Sequence, residues 1–408
     1  MGRGRRTSFA RGRMALASLP LAFLLGPHVE RDARGEVPSL TEPAWVWAVD
    51  VMSPRPVDAA ALSDHETDLQ HVCGRSEAGL HAVAARLVLR KLRGLPYYDA
   101  DGLGQAQRVA GEPHVWPRAW VVSGQALDHE STRQKLAAWG STFHEAGDRR
   151  CGVAIGYGAD GTEAIAVVAL DAQADLHALP IRTHVGAWLP IDATLLVPAS
   201  GARVIVMGPT GHPRTVPTQI QGNHVRAQVA LDRPGAFTVQ VVADSVTGPR
   251  PVLEAEFFAD IAPWTQLPDL AVPGETTPPL DATDRGALVA MVQGLRAVEH
   301  VPSLAPDARL DALALAHAQR MQQAHTIGHD VGDGDPVRRL EAANLRAHES
   351  GENVAHAGST LMAHRALYAS PSHRSNLLAP GFDRIGVGIA RDPDGSVWVT
   401  EEFAGGLK

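Results

Sequence analysis

The 408-residue chain is 45% apolar and carries a formal net charge of −8, with its acidic residues dispersed among apolar positions. That balance reads as globular and, at roughly 100 to 200 residues per domain, as two to four cores rather than one. Beyond the N-terminus no block of Lys or Arg supplies the basic stripe that phosphate contacts require, so nucleic acid is excluded as a partner.

Arg3, Arg5, Arg6, Arg11 and Arg13 precede the apolar run Met14 to Leu25, which is too short to span a bilayer. Residues 1–35 therefore read as a signal peptide, with small residues at Ala33-Arg34-Gly35 for cleavage and no following Cys for a lipid anchor. The alternative is an uncleaved N-terminal anchor. The twin Arg5-Arg6 is followed by residues that match a twin-arginine signal poorly. This reading places the protein outside the cell or in a periplasm, with no membrane span after cleavage. The two cysteines, Cys73 and Cys151, lack the Cys-x-x-Cys spacing of metal or dithiol redox sites. An oxidising compartment predicts a disulfide between them, the alternative being two buried thiols.

Residues 57–172 read as an α/β module. Leu80, Val83, Ala84, Leu87 and Val88 recur at helical spacing, Ser131 to Trp139 offers a second helix, and Arg150 to Ile155 and Ala164 to Ala169 form a hairpin about an Asp-Gly turn. From 181 to 260 the pattern becomes short apolar or alternating runs at Thr194 to Val197, Arg203 to Met207, His224 to Leu231, Ala236 to Ala243 and Val252 to Phe258. Pro- and Gly-rich turns separate them, the pattern of a small immunoglobulin-like β-sandwich. Residues 261–280, with Pro263, Pro268, Pro273, Pro278 and Pro279, read as an extended linker with few tertiary contacts.

The last segment, 281–408, opens on a helical face of Leu288, Met291, Leu295 and Val298. Asp307 reads as the N-cap of a helix carrying Leu310, Leu313, Ala314, His317 and Met321. Ser359 caps a third helix, and strands at Ile385 to Ala390 and Val397 to Phe403 flank the turn Asp392-Pro393-Asp394-Gly395. Within it lie, in order, Gly328-His329-Asp330, Gly351-Glu352-Asn353-Val354, Ser370-Pro371-Ser372-His373-Arg374-Ser375-Asn376-Leu377-Leu378 and Ile385-Gly386-Val387-Gly388-Ile389-Ala390.

In these motifs and their order, residues about 281 to 404 resemble the CAP superfamily, the SCP-like extracellular domain, in its bacterial form. The resemblance implies an α-β-α sandwich, so the fold class is α+β: a C-terminal CAP-like sandwich, a central β-sandwich and an N-terminal α/β module. It also implies that His329, Glu352 and His373 line a central cavity, with Glu401 facing the same cavity where many relatives place Gln. Gly351, Asn353 and Asn376 are then structural parts of the motif. Animal members carry Gly-His-Tyr on the strand that here reads Trp398-Val399-Thr400-Glu401-Glu402-Phe403, a departure that separates this chain from their metal geometry. A passage running from Trp139 through Ser141 and His144 to Asp148 and Gly152 parallels Tyr368, Ser370, His373, Asp383 and Gly386. Residues 57–172 thus read as a degenerate CAP-like repeat without its own Gly-Glu-Asn segment, or as a coincidence of two helix-to-hairpin passages.

Two imidazoles and a carboxylate in one cleft admit zinc or another divalent metal, or a proton-sharing site. Taken singly, His329 reads as a loop imidazole and His373 as a helix cap; His317 reads as a satisfied core histidine. No Gly-x-Ser-x-Gly elbow or His-Glu-x-x-His helix occurs, and His144-Glu145 does not continue into a metal-binding helix. The reading is an exported ligand-binding protein for a small molecule, a lipid, a divalent metal or a cell-envelope component. The alternatives are a hydrolase or protease with Glu352 as base or a Ser/His pair at Ser370 or Ser372, and a cell-surface structural protein with a vestigial cleft.

Overall fold

The computed structural model describes residues 44–98, 100–143, 146–245, 248–266, 271–279 and 282–408; segment 1–35, expected to be a signal peptide, and His144-Glu145 lie outside them. Strand β1 (Asp50–Ser53) leads into the first α/β module. Its elements are α1 (Asp64–Cys73), β2 (Arg75–Ser76), α2 (Ala78–Leu92), α3 (Ala100–Val109), β3 (Arg118–Gly124), α4 (His129–Gly140), β4 (Asp148–Tyr157) and β5 (Glu163–Ala172). Ser63 and Glu66 form a reciprocal capping box at the start of α1, and Asp128 caps α4. The sheet runs β2-β4-β5-β3. Strand alternation sends Ala154, Ala164, Ala166 and Val168 toward Leu80, Val83 and Leu87 of α2. It sends Val153, Ile165 and Val167 toward Leu69 of α1 and Leu136 of α4. Cys73 and Cys151 are bonded, joining the end of α1 to β4 across a Cα separation of 6.1 Å.

The sandwich follows with β6 (Ala174–Pro180), β7 (Arg182–Thr183), β8 (Trp188–Leu195), β9 (Gly201–Met207), β10 (Arg214–Val216), β11 (Thr218–Gln221), β12 (His224–Ala230), β13 (Gly235–Ser245) and β14 (Gly248–Ala259). Its sheets are β1-β6-β8-β12-β11 and β10-β9-β13-β14-β7. Val225, Ala227 and Val229 of β12 and Phe237, Val239 and Val241 of β13 alternate into the shared core. Two strands come from outside the expected 181–260. β6 continues from β5 after one residue, and β1, over a hundred residues upstream, pairs with β6 at the sheet edge.

The C-terminal module comprises α5 (Asp284–Val298), β15 (Ala305–Pro306), α6 (Ala308–Ala324), α7 (Pro336–Ala342), β16 (Glu349–Ala357), α8 (Thr360–Ala369), α9 (Pro371–Leu378), β17 (Arg384–Arg391) and β18 (Val397–Gly405). Its sheet runs β15-β17-β18-β16. Helices α5, α8 and α9 cover one face around Leu288, Leu295, Leu367 and Phe403, and α6 covers the other with Leu310, Ala314 and Met321. This is an α-β-α sandwich. Arg296 is fully buried and donates to the carbonyls of Pro302, Leu377 and Ala379, tying α5 to the end of α9.

The first module and this one share strand order and register. In both, a short edge strand runs parallel to the first hairpin strand: Ser76 sits opposite Cys151, and Pro306 opposite Ile385. In both, the side chain one turn into the following helix accepts the same strand amide, His81 from Val153 N (3.2 Å) and Asp311 from Val387 N (2.9 Å). A glycine stands between those strand positions each time. A Cβ on Gly152 would lie 2.0 Å from His81 N, and one on Gly386 2.2 Å from the Leu310 carbonyl carbon.

The linker differs from expectation. Trp264 packs edge-on against Trp47 and Phe258, and its carbonyl accepts from Trp47 Nε1 at 2.8 Å. Further on, the Pro273 carbonyl accepts from His364 Nε2 (3.0 Å) and Glu275 pairs with Arg365 (2.7 Å). Prolines forbid a helix here, but they do not prevent an extended strip from being fastened by aromatic and charged neighbours.

The disulfide spans 78 residues, so reduction should lower stability by about 3–5 kcal/mol on the loop-entropy account. Denaturant melts with and without reductant measure this; coincident curves would refute it. Gly386→Ala and Gly152→Ala should each cost about 1–3 kcal/mol, because helix backbone cannot yield as a side-chain tip can. Unchanged melting temperatures in both would remove the close-approach argument.

Candidate functional site

Glu352 stands in β16 opposite Glu402 of β18. Its Oε1 accepts from His329 Nδ1 at 2.7 Å, and its Oε2 pairs with Arg339 Nη2. Arg339, on α7, also donates to the carbonyls of His329 (2.7 Å) and Gly334, and its Nη2 lies 3.4 Å from Glu402 Oε1. Behind the pair, His317 is fully buried. Its Nδ1 faces Asp333 Oδ2 at 2.8 Å, and its Nε2 faces the Gly328 carbonyl at 2.9 Å and Glu352 Oε2 at 3.9 Å. His317 is thus a core histidine, as the helical face suggests, and also the second layer beneath Glu352.

Burial alone would raise the Glu352 pKa, but the His329 hydrogen bond and the charges of His329 and Arg339 hold it below the ordinary carboxylate range. Glu402 goes the other way, pushed well above that range by burial and by the neighbouring Glu352 charge. One arginine serves two carboxylates, and their surroundings push the two in opposite directions.

His373 sits on α9 and lines the same cleft; burial and the nearby His329 ring push it down to about 3, so it is neutral at physiological pH. Asn376 Nδ2 donates to the Glu352 carbonyl (3.1 Å) and to Asn353 Oδ1 (3.0 Å), and Asn353 Nδ2 donates to the His373 carbonyl (3.2 Å) and Glu401 Oε2 (2.9 Å). The two asparagines lace α9 to β16. Gly351 has no room for a side chain, since a Cβ would come within 2.9 Å of the Phe382 ring and 3.0 Å of Asn376 Oδ1. Glu401 is placed differently from the expectation. Neighbours on a strand point to opposite faces, so Glu401 lies across the sheet from Glu352, paired with Asn353 and fully buried, away from the cleft lining.

The cleft has a volume of about 760 Å³. One wall is the C-terminal module, with His329, Glu352, His373 and Val337; the other is the sandwich, with Arg203, Ile205, Val242 and Pro249. No reading of the C-terminal motifs alone could find that second wall, because it comes from sandwich strands well upstream of them in sequence. As a metal centre the arrangement does not fit. Both Glu352 oxygens are engaged, one by a guanidinium that repels a cation, and His329, Glu352 and His373 do not bring three donor atoms within 4.8 Å of one another.

The family model for CAP, the cysteine-rich secretory protein family, matches residues 289–403. This segment is a CAP domain. Among solved structures, an extracellular protein containing an SCP domain from Bacillus anthracis is 15% identical, covering 57% of this chain and 86% of its own, with a TM-score of 0.28. A cysteine-rich secretory protein from Staphylococcus aureus is 14% identical over 58% of this chain and 81% of its own, with a TM-score of 0.26. An outer surface protein from Borrelia burgdorferi is 22% identical over 30% of this chain and 92% of its own, with a TM-score of 0.28. No curated protein matches the chain. Among the described residues of this CAP-domain protein, no helix is long and apolar enough to cross a membrane.

Burial raises the Glu401 pKa to about 7, only partly offset by Asn353. Folding therefore takes up a proton between the ordinary value of 4.5 and about 7, so stability falls as pH rises through that window and stays low above it. Glu401→Gln should remove the Glu401 share of that loss, so that the variant gains on the order of 1–3 kcal/mol over the wild type between pH 4.5 and pH 8. Melts of both proteins across that range test it; parallel pH profiles would show that Glu401 ionises normally.

Proposed function

We propose that this is an exported binding protein whose CAP domain and β-sandwich together hold a small amphipathic organic molecule. The cleft between them carries the reading. About 760 Å³ falls within the 300–1,000 Å³ of small-molecule sites, and apolar walls with a few polar groups are what such sites use. Ile205, Val242, Pro249 and Val337 offer apolar surface, while Arg203, neutral His373 and the His329–Glu352 pair supply donors and acceptors for a head group. Export is supported by the Cys73–Cys151 bond and by the secretory family that the C-terminal segment matches.

A hydrolase is less well supported. Glu352, held ionised by His329 and Arg339, is a weak base, and the Ser370 hydroxyl lies 3.4 Å from the Ser372 hydroxyl and accepts from Gln240 Nε2 at 3.4 Å. The register argues that the first module is a CAP-like unit without the cleft. Aligned on their edge strands, the two sheets put Ala119, Trp120, Val167 and Val168 where the CAP domain has Glu352, Asn353, Glu401 and Glu402. An apolar sheet has taken the place of the carboxylates, which leaves binding to the C-terminal half.

Val337 and Thr215 line the cleft from its CAP and sandwich walls, and both are exposed, so tryptophan there should fold normally. Val337→Trp and Thr215→Trp should each cut uptake of the fluorescent probe 1-anilinonaphthalene-8-sulfonate at least tenfold without lowering the melting temperature. Extraction of natively purified wild type should yield a bound organic molecule that both variants lack. Equal probe uptake by all three proteins would end the proposal.

A further inference from the structure

A second constellation lies far from the cleft, in the first module. His65 is the second residue of α1, His129 the first of α4 and Glu163 the first of β5; the fold brings these three sequence-distant positions to one end of the sheet. His65 Nδ1 and His129 Nε2 each stand 3.9 Å from Glu163 Oε1, and one donor atom from each residue lies within 4.8 Å of the others. We propose that His65, His129 and Glu163 form a binding site for a zinc-type divalent transition metal.

Three observations support it. Both ring nitrogens of His65 are buried without a hydrogen-bond partner, an arrangement that costs free energy unless something supplies the missing interaction. A metal ion would supply it at one nitrogen. The two imidazoles stack with centroids 3.6 Å apart and planes 22° from parallel, so the exposed His129 ring must turn before both in-plane lone pairs can meet one ion. Glu163 is buried and its Oε1 accepts from Tyr157 Oη (3.3 Å), which orients the carboxylate as a metal-site neighbour does. Glu66 and Asp68 lie close enough to act electrostatically on His65 and add negative potential. The donors need to close from 3.9 Å to about 3.3 Å, the edge of a tetrahedron with metal–ligand bonds near 2.0–2.1 Å. His129, with 59% of its side chain exposed, is free to make that movement.

Two imidazoles and one carboxylate suit zinc better than calcium or magnesium, which prefer all-oxygen sets. Three protein donors leave a fourth position for water, and the exposed His129 leaves that position open to solvent. The ion would clamp the first turns of α1 and α4 to the start of β5. It would act at the opposite end of α1 from the Cys73–Cys151 bond, so both ends of that helix would be fastened.

The test is calorimetric titration of the chelator-treated full chain with zinc, alongside the visible spectrum of the cobalt-loaded protein. The wild type should bind one zinc and give the intense d–d bands of a tetrahedral cobalt site. His65→Ala and Glu163→Gln should each weaken binding at least tenfold. His129→Gln, at an exposed position that leaves the core intact, should do the same with an unchanged melting temperature in the absence of metal. The His329→Ala, His373→Ala double variant should bind as the wild type does. Absence of zinc binding by the wild type, binding undiminished in His129→Gln, or binding lost only in the His329→Ala, His373→Ala variant would each overturn the assignment.

Discussion

Gln240 holds the three parts of this protein in one frame. It is buried on the outer face of the sandwich, and its carboxamide is used at both ends: Nε2 donates to Glu254 Oε2 (2.8 Å), and Oε1 accepts from Ser372 N of α9 (3.1 Å). Glu254 in turn takes Arg108 Nη1 from α3 at 2.6 Å. One polar relay across β13 and β14 therefore links the first module, the sandwich and the CAP domain. Buried polar groups of this kind fix geometry because an alternative docking would leave them unpaired. The cleft depends on this, since its two walls belong to different parts of the chain.

The junction between first module and sandwich is a harder electrostatic problem. Arg150 is almost completely buried and reaches Ser53 Oγ (2.5 Å), Glu77 Oε2 (3.2 Å) and Asp175 Oδ1 (2.7 Å); His114 pairs with Glu112. Burial, then the Glu112 charge, raise Glu77 to about 7, and Glu112 and Asp175 raise His114 to about 9 against the opposing effect of burial. Breaking such a network by removing one partner typically costs about 3–5 kcal/mol, because a charge is left unpaired in a dry interior. Ser53, His114 and Glu112 have the connectivity of a hydrolytic triad, with Ser53 Oγ 3.3 Å from His114 Nε2. Connectivity is not enough for chemistry here. Ser53 is 3% exposed and its oxygen already accepts from Arg150, so the group locks a junction and has no path to a substrate.

Local pattern made much of the fold legible. The apolar stripe from Leu80 to Val88 is the buried face of α2, Asp307 and Ser359 do cap their helices, and the strands expected at Ile385 to Ala390 and Val397 to Phe403 are β17 and β18. Local pattern failed where the deciding partner is remote in sequence. β1 is four residues whose pairing partner, β6, lies over a hundred residues away, and the linker's trap for Trp264 is made by Trp47 and Phe258. Arg339 and Glu402 were invisible as site residues for the same reason. Each is an ordinary charged residue until α7 and β18 bring it to Glu352, where Arg339 faces the carboxylate as its cation.

Sheet register explains how one architecture can carry two unlike sites. Where β16 and β18 of the CAP domain face Glu352 with Glu402 and Asn353 with Glu401, β3 and β5 face Ala119 with Val168 and Trp120 with Val167. An apolar centre needs no guanidinium, no asparagine lacing and no solvent-filled cleft, so the first module can close tightly around its disulfide. Polar chemistry is then displaced to the sheet's end, where helix starts and a strand start bring polar side chains together without breaking the ladder. His65, His129 and Glu163 stand at just such positions. In the CAP domain the centre stays polar, and the matching strand position at the end of the sheet is Val397, with no carboxylate. The two halves thus place their ionisable groups in complementary locations, and the sandwich between them meets a tightly closed module on one side and an open cleft on the other.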